Sequence, residues 1–257
     1  MSDPRLNPDP TLVKMHQAAC IILPVADLNR RPDGPRDRQL IYGDAVTILN
    51  EMDGWCYVQA NKDQYCGYVA QDALGAAQAP THRITAPATH AYAEPNLKSP
   101  DQTSLTFSSL ITVTGTSNQF AKTTLGYIPA QHISSLYTPF KDPAAIALLF
   151  LGTPYLWGGN SRWGIDCSGL IQAALLACAI PCPGDSDQQQ SLGMPAARSY
   201  QRNDLLFWKG HVALVTDPNT LIHANAGSMS TNFEGIAETI KRIQSAGDGP
   251  VTAHRRL

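Results

Sequence analysis

Apolar and polar residues alternate in short runs over the first half of the chain, and turn residues separate the runs. Period-two alternation bounded by Gly, Asp, Asn and Pro is typical of β-strands. The spacing of the runs predicts two small β-barrels joined by a linker at 75–80. The predicted strands are Ile21–Val25, Gln39–Tyr42, Ala45–Leu49, Trp55–Gln59, Gly67–Ala70, Arg83–Ala86, Thr89–Tyr92, Ser104–Phe107, Leu110–Gly115 and Leu125–Ile128.

The two predicted barrels end in similar segments, Gly67-Tyr68-Val69-Ala70 and Gly126-Tyr127-Ile128-Pro129. Their matching positions indicate a divergent internal repeat. We therefore expect three domains: an N-terminal arm with the first barrel at 1–76, the second barrel at 77–138, and a third domain at 139–257.

The pattern changes at Asp142, where Pro143 suits the first position of a helix. Another helix is predicted where the apolar run Ile171–Ala179 begins, and strands are predicted at His211–Thr216 and Leu221–Ala224. The third domain thus mixes helices and strands, and the whole chain is expected to be of the α+β class.

Cys167 lies where a turn passes into the second of these helices. The N–H groups and dipole of a helix start stabilise a thiolate, so we expect Cys167 to be a nucleophile near neutral pH. The preceding loop, 154–160, holds paired glycines for close backbone approach and two aromatics, Tyr155 and Trp157, that are expected to wall a pocket. Simpler roles remain open: a buried cysteine, aromatics that pack a core, and Asp166 as a helix N-cap.

Two histidines fall on the strands that follow. With a three-residue loop at 217–219, Thr216 faces Thr220, and His211 lies diagonally from His223 on one face of a hairpin. A two- or four-residue loop would send the histidines to opposite faces, because side chains alternate along a strand. The catalytic interpretation, in which one histidine is the base and the other orients it, therefore requires an odd-length loop. A purely structural role for the two strand histidines is the alternative. The other histidines are expected at the surface; they are His16, His82, His90, His132 and His254.

Composition narrows the function classes. The 257 residues carry a formal charge of −2 and are 43% hydrophobic. The chain has no stripe of basic residues interleaved with aromatics, the pattern typical of nucleic-acid binding. No apolar run approaches the roughly 20 residues of a membrane span. The first residues lack the apolar core of a secretory signal, so a cytoplasmic protein with reduced thiols is expected. Common zinc spacings are absent, and neither a metal nor another cofactor is expected.

Several motifs occur in order and together resemble the NlpC/P60 cysteine peptidases, whose catalytic domain is papain-like. They are Pro-Tyr-x-Trp-Gly-Gly at 154–159, Asp-Cys-Ser-Gly at 166–169, Asp185-Ser186-Asp187-Gln188-Gln189, Asp204-Leu205, and His211 twelve residues before His223. The preceding barrels resemble bacterial SH3-like (SH3b) domains through Tyr42-Gly43-Asp44 and Gly54-Trp55. Two SH3b domains before this catalytic domain resemble peptidases that recycle murein peptides.

The resemblance implies a reaction and a catalytic set. Cys167 would be the nucleophile, His211 the general base, and His223 the group that orients His211. The expected reaction is hydrolysis of the bond between γ-D-glutamate and a diamino acid, in murein tri- or tetrapeptides with a free N-terminal L-alanine. No nucleic acid or membrane partner is implied.

The resemblance also implies substrate contacts. Tyr155 would line the oxyanion region, and Trp157 the pocket. Asp166 and Ser168 would contact the substrate amine and backbone, with Ser186 nearby. From the first barrel, Asp44 and Tyr65 would close the amine pocket, unless they are ordinary turn and strand residues.

Other functions remain to be separated from this one. A wall hydrolase would act on intact peptidoglycan, and an inert wall-binding protein would bind it without turnover. A zinc site made of Cys167, His211 and His223, or another acyl transfer on the same fold, is a further alternative.

Overall fold

The structure is a computed structural model that describes residues 3–197 and 199–257. Its contacts form two compact units, with the boundary between Thr138 and Pro139. The first unit is built of strands, whereas the second combines helices and strands, so the predicted α+β class is confirmed. The division into three domains stays a prediction.

Over its described residues, 3–138, the first unit contains fifteen strands, most of them four to six residues long. Two short 3₁₀ helices interrupt them, at Gln71–Ala73 and Ala130–His132. The strands are β1 Gln17–Ile21, β2 Val25–Asn29, β3 Arg36–Ile41, β4 Ala45–Met52, β5 Trp55–Ala60, β6 Cys66–Ala70, β7 Leu74–Ala76, β8 His82–Ile84, β9 Ala88–Tyr92, β10 Asp101–Thr106, β11 Leu110–Ile111, β12 Val113–Ser117, β13 Phe120–Thr123, β14 Gly126–Pro129 and β15 Ile133–Ser135.

The first seven strands form one antiparallel sheet in the order β3-β2-β6-β5-β4-β1-β7. Its core holds Ile21, Leu28, Val46, Val58 and Val69, all fully buried. The prediction of a strand at 21–25 is wrong, because β1 ends at Ile21 and β2 begins at Val25. Proline has no N–H to give to a sheet, and Pro24 lies in the connection.

The later strands form a five-stranded sheet, β10-β9-β14-β13-β12, and a three-stranded sheet, β11-β8-β15. They enclose a separate core that includes Ile84, Leu105 and Ile128. Both halves of this unit end in the same order, a strand, a 3₁₀ helix and a short strand: β6, Gln71–Ala73 and β7 in the first half, β14, Ala130–His132 and β15 in the second.

In the part of the second unit that the structure describes, 139–197 and 199–257, there are four helices and eight strands. Six of the strands make one antiparallel sheet in the order β18-β23-β19-β20-β21-β22. The elements are α1 Pro143–Leu148, β16 Asn160–Ser161, β17 Gly164–Ile165, α2 Cys167–Ala177, α3 Ser186–Gln189, β18 Met194–Pro195, β19 Leu205–Trp208, β20 His211–Asp217, β21 Thr220–Asn225, β22 Ser230–Gly235, α4 Ile236–Ser245 and β23 Ala253–Arg256.

Helix α4 covers one face of the six-stranded sheet. Side chains from β19, β20 and β21 form a single buried cluster with it: Leu206, Trp208, Ala213, Val215, Leu221, Ile236 and Ile243. Since side chains alternate along strands, the odd-numbered residues of β20 and β21 lie on this face. His211 and His223 are therefore on the α4 side of the sheet.

Candidate active site

Helix α2 begins at Cys167 because Asp166 caps it. Asp166 has an extended backbone, and its Oδ1 accepts the Gly169 N–H at 2.6 Å. Its Oδ2 accepts the Gly158 N–H at 2.9 Å and so ties the preceding loop to the helix start. Carboxylates are favoured at this position because they satisfy unpaired N–H groups. The N-cap role that the sequence left open is thus the role seen in the structure.

The glycines of this loop allow the close approach. A Cβ on Gly159 would lie 2.5 Å from the Gly164 carbonyl oxygen, and one on Gly169 would lie 2.5 Å from the Gly159 carbonyl oxygen. Side chains at these positions would push the loop away from the nucleophile.

The thiol of Cys167 is buried beside the first residues of β20. Its side chain is a free thiol in a residue only 7% exposed, with Sγ 4.0 Å from the Gly210 carbonyl oxygen. The Val212 N–H also faces it. Gly210 and Val212 flank His211, so the start of β20 brings the second predicted catalytic residue to the helix N-terminus.

The expectation of a thiolate is wrong for the substrate-free site. Burial raises the pKa of Cys167 to about 12, and the negative charge of Asp166 adds to the increase. Backbone N–H groups of Val212, Ser168 and Cys167 itself lower the pKa, but less than burial raises it. Desolvation disfavours the charged form of any thiol, so Cys167 rests as a neutral thiol.

The histidine hairpin has the predicted register, but its loop length differs from the prediction. Asp217 pairs with Thr220, so the loop has two residues, not three, and the predicted Thr216–Thr220 pair does not form. A bulge at Thr216 adds one residue to β20 and restores the pairs Val215–Leu221 and Leu214–Ile222. One extra residue offsets the one-residue slip, so both histidines still share a face.

The two imidazoles are joined directly. Nε2 of His211 lies 2.9 Å from Nδ1 of His223. Nε2 of His223, a side chain with no exposed surface, lies 3.1 Å from Oε2 of Glu234 on β22. Arg242 on α4 then donates to Glu234 from Nε at 2.7 Å and from Nη2 at 2.6 Å. A continuous chain of hydrogen bonds thus runs from His211 to an arginine near the surface.

Charges along this chain set the protonation states. Burial lowers the pKa of His211 to about 3 and that of His223 to about 4. Glu234 raises both values and Arg242 lowers both, each by less than burial does. Hydrogen bonds from Arg242 hold the pKa of Glu234 below its usual range. At neutral pH the site therefore contains two neutral imidazoles and an ionised carboxylate.

The sequence did not identify Glu234 and Arg242. Glu234 lies on β22, whose sequence Ser-Thr-Asn-Phe-Glu-Gly lacks an alternating apolar pattern. Its signal lies in the pairing, since β22 puts Glu234 opposite Leu221, diagonal to His223. Arg242 is one helical turn before the end of an amphipathic helix, where a basic residue is common for electrostatic reasons alone.

The other predicted substrate-binding residues of this unit differ in their burial and contacts. Burial, then the charges of Cys167 and Asp166, raise the pKa of Tyr155 to about 12, so its phenol stays protonated close to both. Ser168 is buried and donates to Asp166 Oδ1 at 3.1 Å. Ser186 begins α3 and is half-buried, whereas Trp157 is 66% exposed.

Asp44 and Tyr65 belong to the other unit and have local partners there. Asp44 is buried, pairs with Lys62 Nζ at 2.6 Å and accepts the Ile41 N–H at 2.9 Å. Tyr65 is 3% exposed and packs in the core of the first sheet. These contacts stabilise the barrel, and the predicted part of both residues in an amine pocket stays a prediction.

One histidine that the sequence analysis expected at the surface has a partner in the fold. His254, expected at the surface, is half-buried, and its Nε2 lies 2.7 Å from Asp204 Oδ2. Strand β23 pairs with β19 and brings His254 inward. Among residues 3–197 and 199–257, no three His, Cys, Asp or Glu side chains are placed to hold a metal ion. In the same ranges no helix is long and apolar enough to cross a membrane.

Comparison with known proteins finds one family match within each unit. Residues 152–243 match the NlpC/P60 family, and residues 28–74 match the bacterial dipeptidyl-peptidase SH3 domain. Dipeptidyl-peptidase 6 of Lysinibacillus sphaericus is 28% identical over 86% of this chain and 92% of its own length. The γ-D-glutamyl-L-lysine dipeptidyl-peptidase of Bacillus subtilis is 27% identical over 79% of this chain and 76% of its own length.

A solved structure has the same fold. The crystal structure of an NlpC/P60 family protein from Bacillus cereus aligns with a TM-score of 0.78 at 19% identity, over 93% of this chain and 99% of the other. The family match spans α2, β20 and β21, the elements that bring the thiol and both histidines together. The chain therefore contains an NlpC/P60 domain of the cysteine peptidase type and, in its N-terminal unit, a bacterial SH3 domain.

Proposed function

We propose that this enzyme hydrolyses the bond between γ-D-glutamate and a diamino acid in murein tri- and tetrapeptides with a free N-terminal L-alanine. The observation that carries the proposal is the hydrogen-bonded pair His211–His223, together with the buried thiol of Cys167 that faces Gly210 and Val212 on either side of His211. Two relatives that align over most of their length are named dipeptidyl-peptidases, and one name specifies the γ-D-glutamyl-L-lysine bond. Release of a dipeptide requires a chain end two residues before the cleaved bond.

Acylation begins from neutral groups. The proton of Cys167 Sγ passes to Nδ1 of His211 while sulfur attacks the γ-carbonyl carbon of glutamate. The C–N bond then breaks, and His211 returns that proton to the leaving amine of the diamino acid. Water next attacks the thioester with His211 as base, the C–S bond breaks, and the thiol regains its proton.

Two groups are suited to stabilise the oxyanion. Backbone N–H groups at the start of α2 point along the helix axis towards the reacting sulfur. Tyr155 keeps its proton because its pKa is about 12, so its hydroxyl is available as a donor. If the proton leaves as the C–S bond forms, no free thiolate has to form beforehand.

In the same proposal, the substrate ammonium binds near the carboxylate of Asp166, next to the nucleophile. Asp166 supplies negative charge beside Cys167, and Ser168 and Ser186 supply hydroxyls on α2 and α3. Trp157 offers an exposed apolar wall. In intact peptidoglycan this alanine nitrogen is acylated, so the enzyme would act on peptides already freed from the glycan, in the cytoplasm.

The test compares peptides that differ only in that amine. L-Ala-γ-D-Glu-meso-diaminopimelate, its L-lysine counterpart and their N-acetylated forms are incubated with the enzyme, and mass spectrometry identifies the products. Acetylation removes one partner of a charge pair, so we expect a loss of roughly a hundredfold to several thousandfold. Cys167→Ala is the control for contaminating peptidase. Equal rates on free and acetylated peptides, or release of fragments from whole sacculi, would instead indicate a wall hydrolase.

A further inference from the structure

Glu234 completes a line of three side chains on neighbouring strands. His211 is on β20, His223 on β21 and Glu234 on β22, and all three lie on the sheet face that α4 covers. Leu221 faces Glu234 and His223 faces Asn232, which makes Glu234 the diagonal neighbour of His223. Arg242 descends from α4 onto the same carboxylate.

The carboxylate determines which nitrogen of His223 carries the proton. An ionised carboxylate only accepts hydrogen bonds, so His223 Nε2 must be the protonated nitrogen facing Oε2 of Glu234. A neutral imidazole has one donor and one acceptor, which leaves His223 Nδ1 as an acceptor. His211 must then donate from Nε2, and its Nδ1 remains unprotonated.

We propose that Glu234, held by Arg242, is a positioning residue that selects this tautomer of His223 and so leaves Nδ1 of His211 ready to take the proton of Cys167. This inference rests on the catalytic set proposed above, Cys167, His211 and His223. It adds a fourth and a fifth residue that never touch substrate. Outer partners that fix a histidine tautomer are worth about 10- to 100-fold in activity at metal sites, which sets the scale expected here.

Arg242 has two opposed effects on the site. It orients Glu234 through two hydrogen bonds, yet its positive charge lowers the pKa of both histidines. The charged and titratable groups that face the pair are Glu234 from β22 and Arg242 from α4, while Cys167 and Asp166 lie at the start of α2. Removal of Glu234 therefore leaves His211 a weaker base as well as less well oriented.

Three variants separate this role from simple support of the fold. Glu234→Met keeps most of the volume but has no acceptor, and Glu234→Gln keeps one acceptor oxygen without the charge. Glu238→Met removes an exposed carboxylate from the first turn of α4 and is the matched control. We expect kcat to fall about 10- to 100-fold in Glu234→Met with KM within about twofold, a smaller fall in Glu234→Gln, and no change in Glu238→Met.

Nitrogen-15 NMR of the histidine rings supplies a readout that needs no substrate. The parent should show His223 protonated at Nε2 and His211 unprotonated at Nδ1 at neutral pH, and Glu234→Met should lose that pattern. A structural role alone would admit water and move the acid limb of kcat/KM up towards the pKa of ordinary histidine. The proposed role moves that limb down in Glu234→Met and up in Arg242→Met, following the signs of the two charges.

The outcomes are distinct. Unchanged tautomers in a folded Glu234→Met, or a kcat within about twofold of the parent in both Glu234 variants, overturn the role of Glu234. If the parent enzyme cleaves no murein peptide, the proposed substrate fails instead, while the ring NMR still decides the tautomer. Should Glu234→Met not fold, Glu234→Gln carries both measurements.

Discussion

Two groups of side chains next to the six-stranded sheet share one arrangement. In each group, one carboxylate accepts from a histidine Nε2 and from two nitrogens of an arginine. Glu234 binds His223 and Arg242 in this way, and Asp204 binds His254 at 2.7 Å and Arg256 at 2.8 Å from both nitrogens. The two groups therefore combine the same kinds of side chain through the same kinds of hydrogen bond.

Their difference lies in what the histidine touches next. His223 is bonded to a second histidine, His211, whose chain neighbours Gly210 and Val212 face the thiol of Cys167. His254 packs against Tyr200, and its group fastens β23 to the start of β19. A histidine–carboxylate–arginine group thus becomes part of a catalytic site only through its connection to a nucleophile, and otherwise it closes the fold.

The largest expected difference between the two regions is the effect of a histidine substitution on kcat. Loss of a general base costs about 10²- to 10⁴-fold in rate, so His211→Ala should lose that much kcat while remaining folded. His254→Ala should keep kcat within about twofold and lower the melting temperature. Steady-state kinetics and thermal unfolding of both variants measure this. A large loss of kcat in His254→Ala at full folding would abolish the distinction.

A second prediction uses pH and the stability of the fold. His223 has a folded pKa of about 4 against 6.5 for the free side chain, so between those values the unfolded chain binds a proton that the folded one does not. The free energy of unfolding should therefore fall as pH drops from 6.5 to 4, by an amount on the order of 3 kcal/mol from this residue. Denaturant titrations of His223→Gln should show a flatter decline than the parent, and an identical decline would refute the assignment.

Asp204 has the same sign of pH dependence in a lower pH range. Burial alone would raise its pKa, but Arg256, the Gln201 N–H and His254 lower it below 3.8. A lowered carboxyl pKa stabilises the fold above 3.8, and that stability is lost as pH falls through the folded value. Asp204→Asn should cost about 1.5 to 3 kcal/mol at pH 7, the value of hydrogen bonds to a charged group, and should weaken the pH dependence below 3.8. Urea unfolding at pH 7 and pH 3 tests this.

The smallest expected effect comes from exchanging the arginines. Lysine cannot make the two parallel bonds of a guanidinium, so Arg242→Lys should lower kcat a few-fold by loosening Glu234. Arg256→Lys should leave kcat unchanged. Equal kcat values for Arg242→Lys and the parent would mean that the second hydrogen bond to Glu234 has no catalytic value.

The sequence predicted the parts of the site that depend on local spacing. Cys167 follows a capping aspartate, and the odd-numbered His211 and His223 fall on neighbouring strands, so both features are visible within a few residues. The loop length was wrong because the bulge at Thr216 depends on contacts across the hairpin, including the bond from its Oγ1 to the Thr220 carbonyl. The predicted thiolate was wrong because burial is a property of the folded unit.

The contacts of Glu234 and His254 could not be predicted from local sequence, for a related reason. Strand β22 has no alternating apolar pattern, and β23 pairs with β19 across about fifty residues, as the Phe207–Ala253 and Leu206–His254 pairs show. Long-range pairing places both residues next to their partners, and no short motif encodes it.

The two isosteric amides compare the groups most directly. Glu234→Gln and Asp204→Asn each remove one negative charge from a histidine–carboxylate–arginine group and change little else. Their kcat values on L-Ala-γ-D-Glu-diamino acid peptide should diverge, with a loss of roughly fivefold to tenfold for Glu234→Gln and a value within about twofold of the parent for Asp204→Asn. Equal kcat values for the two folded variants would contradict the claim that only the Glu234 group acts on the nucleophile.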